Sequence, residues 1–339
     1  MNRQLPEGGQ TLVYSTVSDH EIKLDYYLPR ANGALPAVIY YHGGGMTAGS
    51  RRGRGLPQWL FAHCQEKGYI FISADYRLCH PTTALDQIED AKNLFQFITS
   101  THFNNILPGS TTLDPTRIAV SGFSAGAYSA RAACIYANPK PAAMISVYGL
   151  GGNVLLDHWT RARPPTSIAK FVDLNAVPEL LADKTVVSDD VSTGGPLSRR
   201  FALTVHWEIS GTMLDGIFGR EGLGGVLDKV DYEQRAAAFP SDLKSGLLQS
   251  FVDDSYPPSI FVHGTADEVV PPQESIDQHE QLKGLGVKSE LLLVEDGPHG
   301  LEAFSTDPTS VVSSRSKEAY GTALNFIDEV FSGLQKSTL

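Results

Sequence analysis

A chain of 339 residues, 42% apolar and 19% charged, has the make-up of a folded globular protein with a sizeable core, which excludes a disordered or low-complexity polypeptide. Its 27 basic and 38 acidic residues leave a net charge of −11, which argues against a nucleic-acid partner, because a phosphate backbone needs clustered Lys and Arg. No stretch reaches the ~20 apolar residues of a membrane span, and the start "MNRQLPEGGQTLVYS" lacks an apolar signal region, so a cytoplasmic chain is expected.

The three cysteines, Cys64, Cys79 and Cys134, form no C-x-x-C pair, and an odd number cannot close fully into internal bridges. The one short basic run, "SRRGRG" (50–55), reads as a solvated loop, since like charges this close normally face water. The terminal "STL" departs from the peroxisomal S-K-L pattern at its middle position.

Along the chain, "TLVYSTVS" and "IKLDYYL" alternate with period two and predict an antiparallel pair at a sheet edge. The pattern then changes to short, nearly continuous apolar runs: "PAVIYYHGG", "YIFISADYRL", "RIAVSGFS", "AAMISVYGL", "SIFVHGT" and "SELLLVED". Such runs fit strands buried on both faces of a parallel sheet. Helix-length segments at roughly 54–67, 84–100, 125–137, 272–285 and 316–333 separate most of them, which predicts a doubly wound α/β sheet. About a hundred residues between "VYGLGGN" and "PPSIFVHG" carry no parallel-strand run, and a structureless loop of that length is improbable in a compact domain. The expected organisation is therefore a core from 1–152 and 257–339, with a helical cap inserted at 153–256.

Four loops at strand ends carry chemistry. In "YYHGGGM" (40–46), three consecutive glycines expose backbone N–H groups that can bind an oxyanion; neither a P-loop nor a G-x-G-x-x-G fingerprint is present to favour phosphate. In "GFSAG" (122–126), Ser124 sits in a G-x-S-x-G turn between an apolar strand and a small-residue helix, a nucleophile elbow with Ala125 N–H facing the site. "IFVHGTADEVVPP" offers Asp267, with Glu268 as its neighbouring alternative, to orient a base. Of ten histidines, His299 in "EDGPHG" follows the last strand run in a Gly and Pro loop and is the expected base, whereas His42, His80 and His263 read as structural. The order Ser, Asp, His is the one expected of this fold type. No metal and no organic cofactor is implied, for no H-E-x-x-H or paired C-x-x-C spacing occurs.

The landmarks "HGGG" (42–45), "DYRL" (75–78), "GFSAG" (122–126), "HGTADEVVP" (263–271) and "GPHG" (297–300) resemble those of α/β-hydrolase-fold serine esterases, close to the hormone-sensitive-lipase-like group. The resemblance implies Ser124 as nucleophile, His299 as general base, Asp267 as its orienter, and Gly44, Gly45 and Ala125 as oxyanion donors. Two departures stand out. Phe123 replaces the aspartate of the group's usual G-D-S-A-G, and "TADEVVP" is nearer to dienelactone-hydrolase and prolyl-oligopeptidase relatives.

The expected reaction is ester hydrolysis through an acyl-enzyme, on a small-molecule ester that could be a lactone or secondary-metabolite ester. Phe123, Met46, Trp207, Met213 and Phe218 are the residues expected at the substrate, with Trp159, Phe171, Phe201 and Leu214 as further cap candidates. Acyl transfer, amide hydrolysis of the aryl-formamidase or peptidase kind, and a non-catalytic ligand-binding protein are the alternatives; a homodimer is left open.

Overall fold

A computed structural model describes residues 7–53, 55–191, 197–301 and 311–337, so part of the N-terminal start, Arg54 of the basic run and most of the terminal "STL" lie outside the described residues. Eight strands form one sheet: β1 Gln10–Val17, β2 His20–Tyr27, β3 Ala34–Tyr41, β4 Ile70–Ala74, β5 Thr112–Phe123, β6 Ala143–Val147, β7 Ser259–Gly264 and β8 Ser289–Val294. Their spatial order is β1-β2-β4-β3-β5-β6-β7-β8. Both pairings of β2 are antiparallel and every other pair is parallel, so the edge pair and the parallel sheet expected from the sequence are both present.

The apolar runs are continuous because successive residues serve two cores. On β3, Ala37, Ile39 and Tyr41 face one cluster while Val38 and Tyr40 face the other, the period of a strand covered on both sides. Helices α1 (Gln58–Lys67) and α12 (Val311–Ser337) cover the second cluster; Ala319, Ala323, Phe326, Ile327 and Phe331 of α12 repeat at helical spacing. The first cluster lies under α2 (Ala84–Ile98), α3 (Thr101–Ile106), α4 (Gly126–Tyr136) and α11 (Gln273–Gly284).

From β3 the chain winds outward in both directions, to β4 on one side and β5 on the other. Open α/β sheets bind ligands at such a switch point, outside the carboxyl ends of the strands. The loop after β3 is "HGGG" and the turn after β5 is "GFSAG", so the two motifs meet there.

Between β6 and β7 the chain forms short helices: α5 (Asp157–Thr160), α6 (Val177–Ala182), α7 (Phe201–Ser210), α8 (Met213–Phe218), α9 (Leu223–Asp228) and α10 (Tyr232–Ala238). This insertion is fastened to the core. Gly49 and Asp190 exchange backbone hydrogen bonds (3.2 and 2.9 Å), Leu78 N donates to Val187 O at 2.8 Å, and Thr47 and Thr204 share a 2.7 Å hydroxyl contact.

The basic run is solvated only in part: Arg52 and Gly55 are exposed, but Ser50 and Arg51 are buried. Arg51 is 5% exposed and its guanidinium reaches Asp25, Asp75 and Asp189, while Arg52 also pairs with Asp25. Three carboxylates converging from β2, from the end of β4 and from the insertion neutralise charges that would otherwise seek water. Removing the cation alone leaves Asp25 and Asp75 buried without it. Arg51→Met should therefore cost about 3–5 kcal/mol of stability, read as a lower urea midpoint at unchanged m-value.

Candidate active site

β5 runs into Ser124, whose φ of 51° lies in the left-handed region that a serine occupies only under constraint. The constraint is backbone on backbone. A Cβ on Gly126 would stand 2.3 Å from Tyr41 O and 2.4 Å from His42 O, so only glycine lets α4 begin against the end of β3. Ser124 N donates to Val147 O at 3.0 Å, and Ser124 O accepts from Ala127 and Leu150, fixing the turn on both sides.

Ser124 Oγ lies 3.0 Å from His299 Nε2, and His299 Nδ1 lies 2.7 Å from Asp267 Oδ2. A carboxylate only accepts, so Nδ1 carries the hydrogen and Nε2 offers its lone pair to the serine hydroxyl. Asp267 Oδ1 accepts from Val269 N (2.9 Å) and Val270 N (3.0 Å). Burial would raise this carboxyl, but the charge and hydrogen bonds of His299 and His263 outweigh it and hold Asp267 well below the usual carboxylate range. Glu268 turns away to accept from Ser167 N at 2.7 Å, which separates it from its neighbour.

The glycine loop stands directly over the elbow. A Cβ on Gly43 would be 3.2 Å from Ser124 Cβ, and Gly45, Ala125 and Ser124 line one cavity. Among the described residues, the amides of Gly44, Gly45 and Ala125 have no hydrogen-bond acceptor, so all three donors are unspent. His42 braces this loop: Nδ1 bonds Gly43 O at 2.8 Å, the ring stacks on Tyr76 at 4.4 Å, and burial pushes its pKa down to about 4. The "DYRL" segment serves the same end, since Tyr76 donates to His42 O at 2.6 Å.

The cavity, a narrow cleft, is walled by Leu150, Trp159, Phe201, Met213, Val269 and Val270, with Thr204 and Glu208 as its polar side chains beside Ser124. Of the residues expected at the substrate, Met213 lines it; the other four do not. Phe123 points to the opposite face of the sheet, edge-on to Tyr40 at 5.3 Å and to Tyr148 at 5.9 Å. Met46 is fully buried and its carbonyl accepts from Cys79 N at 2.8 Å. Trp207 packs on Gly216, and Phe218 stands edge-on to Phe239 at 5.2 Å, both inside the insertion. Among the further cap candidates, Trp159 and Phe201 line the cavity, Leu214 is buried elsewhere and Phe171 is 43% exposed.

Sequence reasoning passed over two features, Glu274 and Glu208, and read a third, His263, only as structural. His263 is buried behind Asp267, its Nε2 3.2 Å from Oδ2 and 2.9 Å from Val270 O, so it is a second donor to the acid. Glu274, buried on α11, accepts from Gly151 N, Asn153 N and Trp159 Nε1 (2.9, 2.7 and 2.6 Å), which sets Trp159 in the cavity wall. Glu208 faces the cavity with Phe201 and Thr204 from one side of α7, and is paired with Arg163 at 2.9 Å. The i, i+3, i+7 spacing of Phe201, Thr204 and Glu208 was the signal available. Among the described residues no group of three or more His, Cys, Asp or Glu could hold a metal ion, and no helix is long and apolar enough to cross a membrane.

Two family matches divide the chain: BD-FAE over residues 24–188 and the prolyl oligopeptidase family over 214–333. Curated relatives include a non-reducing polyketide synthase of Penicillium brasilianum, 26% identical over 86% of this chain and 13% of its own length. The methylphloroacetophenone synthase of Cladonia uncialis is 24% identical over 92% of this chain and again 13% of its length, so the chain spans about an eighth of these relatives. Among solved structures, a propionate-bound esterase of Thermogutta terrifontis matches with TM-score 0.61 and 20% identity, over 96% of each chain. A Staphylococcus aureus protein of unknown function matches at 0.62 and 18%, over 95% of this chain and 99% of its own.

The glycine loop gives a direct test of the packing. A Cβ on Gly45 would lie 2.4 Å from Thr204 Oγ1 at a φ of 61°. Gly45→Ala should lower stability by about 1–3 kcal/mol in calorimetry, and trimming Thr204 to Gly in the same chain should restore only the part due to the clash.

Proposed function

We propose that this chain, which has the α/β-hydrolase fold, is a serine hydrolase that cleaves carboxylic esters through an acyl-enzyme formed on Ser124. The observation that carries this reading is the unbroken hydrogen-bonded chain from Ser124 Oγ through His299 to Asp267, closed over by unspent backbone amides. Ser124 attacks the ester carbonyl as His299 Nε2 takes its proton. Negative charge developing on the carbonyl oxygen is met by the N–H groups of Gly44, Gly45 and Ala125, which need no reorganisation. Asp267 holds the Nδ1–H tautomer and stabilises the imidazolium, which returns its proton to the leaving alcohol; water then repeats the sequence on the acyl-enzyme.

The insertion, residues 153–256, acts in this reading as the substrate-selecting cap, with Trp159, Phe201 and Met213 supplying apolar wall above the serine. The polyketide synthase relatives favour a second reading of the substrate, in which the acyl group is a polyketide carried as an ester or thioester and released to water or another acceptor. The same three side chains would serve. Three free, buried thiols suit a reducing compartment, and we place the chain in the cytoplasm.

Ser124→Ala should remain folded, lose covalent labelling by a fluorophosphonate detected by intact mass, and lose kcat by at least ~10⁴-fold on an aryl ester. Undiminished labelling or turnover would sink the assignment. Asp267→Asn turns an acceptor-only group into one that can donate toward Nδ1 and so favours the wrong tautomer; kcat should fall by about 10⁴-fold with KM little changed.

A further inference from the structure

The cavity beside Ser124 is apolar except on one side, where α7 presents Thr204 and Glu208. Thr204 is already engaged, its hydroxyl donating to Gly45 O at 2.9 Å and lying 2.7 Å from Thr47 Oγ1. Glu208 is only half engaged. One carboxylate oxygen, Oε1, meets Arg163 at 2.9 Å, while no hydrogen bond to Oε2 is found among the described residues; Oε2 is not sealed off and stays open to the cavity, although Glu208 as a whole is only 6% exposed. Arg163 is held from behind by Glu268 O (3.0 Å) and Val269 O (3.5 Å), and its Nε is buried without a partner, so the pair is built in rather than trailing in solvent. A carboxylate placed against Trp159, Phe201 and Met213 is costly unless its lone pairs are used.

We propose that Glu208 is a specificity-determining residue whose free oxygen accepts a hydrogen bond from a hydroxyl group of the substrate, making this a site for hydroxylated esters. The inference rests on the ester-cleaving reading of Ser124. A carboxylate only accepts, so the complementary substrate group must donate. Arg163 already balances the charge of Glu208, so an ammonium would bring an uncompensated charge into an apolar cavity, whereas a neutral hydroxyl brings none. A site that hydrogen-bonds a substrate hydroxyl rejects the analogue lacking it, because its own polar group is then left bare. Burial raises the Glu208 carboxyl while the charges of Arg163 and then His299 pull it back down, so a purely electrostatic role in supporting the imidazolium is the rival. That role would act on all substrates alike.

The test compares kcat/KM within matched pairs: the 4-nitrophenyl esters of 3-hydroxybutanoate and butanoate, those of 4-hydroxyphenylacetate and phenylacetate, and 4-hydroxybenzyl and benzyl acetate for the alcohol side. In the wild type at least one hydroxylated member should be preferred by about 10- to 100-fold, the worth of a hydrogen bond to a charged group. In Glu208→Leu that ratio should fall to near one; Glu208→Gln, which keeps an acceptor oxygen, should retain part of it. Because each ratio is internal to one protein, a general loss of activity cancels. Wild-type ratios near one in every pair, or a preference that survives in Glu208→Leu, overturn the proposal. So does an equal fall for both members of every pair with a shifted pH profile, which assigns Glu208 to positioning His299 instead. Calorimetric binding of 4-hydroxyphenylacetone and phenylacetone, uncleavable ketones, to Ser124→Ala separates the two readings. If hydroxyl-dependent binding is lost with Glu208→Leu while no ester is ever turned over, the ester-cleaving reading fails and only the hydroxyl-accepting role of Glu208 stands.

Discussion

The close backbone crossing at the ends of β3 and β5 governs the rest of the molecule. The chain leaves these neighbouring strands in opposite directions, and α4 starts so near β3 that a single methyl on Gly126 would strike the carbonyls of Tyr41 and His42. Ser124 is thereby held at positive φ, a conformation costing roughly 1–3 kcal/mol for a non-glycine residue. That cost is offset by the end of β6 and the loop after it, through Val147 O and Leu150 N. The reward is direction: the hydroxyl stands clear of the strand ends, facing a loop whose amides have nothing else to bind.

Charge is handled by a single rule through most of the interior, namely that buried ions have partners. Asp267 collects two backbone amides and two imidazoles; Arg77 is enclosed by Asp86 and Asp90; Arg51 joins three carboxylates from separate parts of the chain. Such pairs add little net stability over apolar substitutes, yet each one fixes geometry, because a misplaced partner leaves a bare charge. Glu208 keeps the rule through Arg163, yet it faces the cavity.

What could be read in the sequence follows from how local the cause is. Strand runs such as "PAVIYY" and the turns that follow them carry their own signature, since burial on both faces demands continuous apolar residues and a sharp turn demands glycine. Residues named from those turns, Ser124, Asp267 and His299, lie in one hydrogen-bonded chain. Glu268 stood beside Asp267 as the alternative acid, and the direction of each side chain separates them. Pocket residues were poorly legible. An apolar type says that Trp207, Phe218, Met46 and Phe123 leave water, but not which of several interiors receives them; short helices in the insertion give no periodicity long enough to decide. The basic run failed for a related reason, because Asp25, Asp75 and Asp189, the carboxylates that bury Arg51, are distant in sequence.

The cavity draws its parts from two kinds of chain. Ser124, Asp267 and His299 belong to strand ends that the sheet itself dictates, whereas Trp159, Phe201, Thr204, Glu208 and Met213 all belong to the stretch between β6 and β7. Selectivity can therefore drift while reactivity stands still. A descendant could exchange one face of α7 and acquire a new diet without altering the sheet, provided Asp189, Asp190 and Thr204 still reach Arg51, Gly49 and Thr47. Those contacts, with Leu78 to Val187 and Trp159 to Glu274, tie what the molecule recognises to what it does.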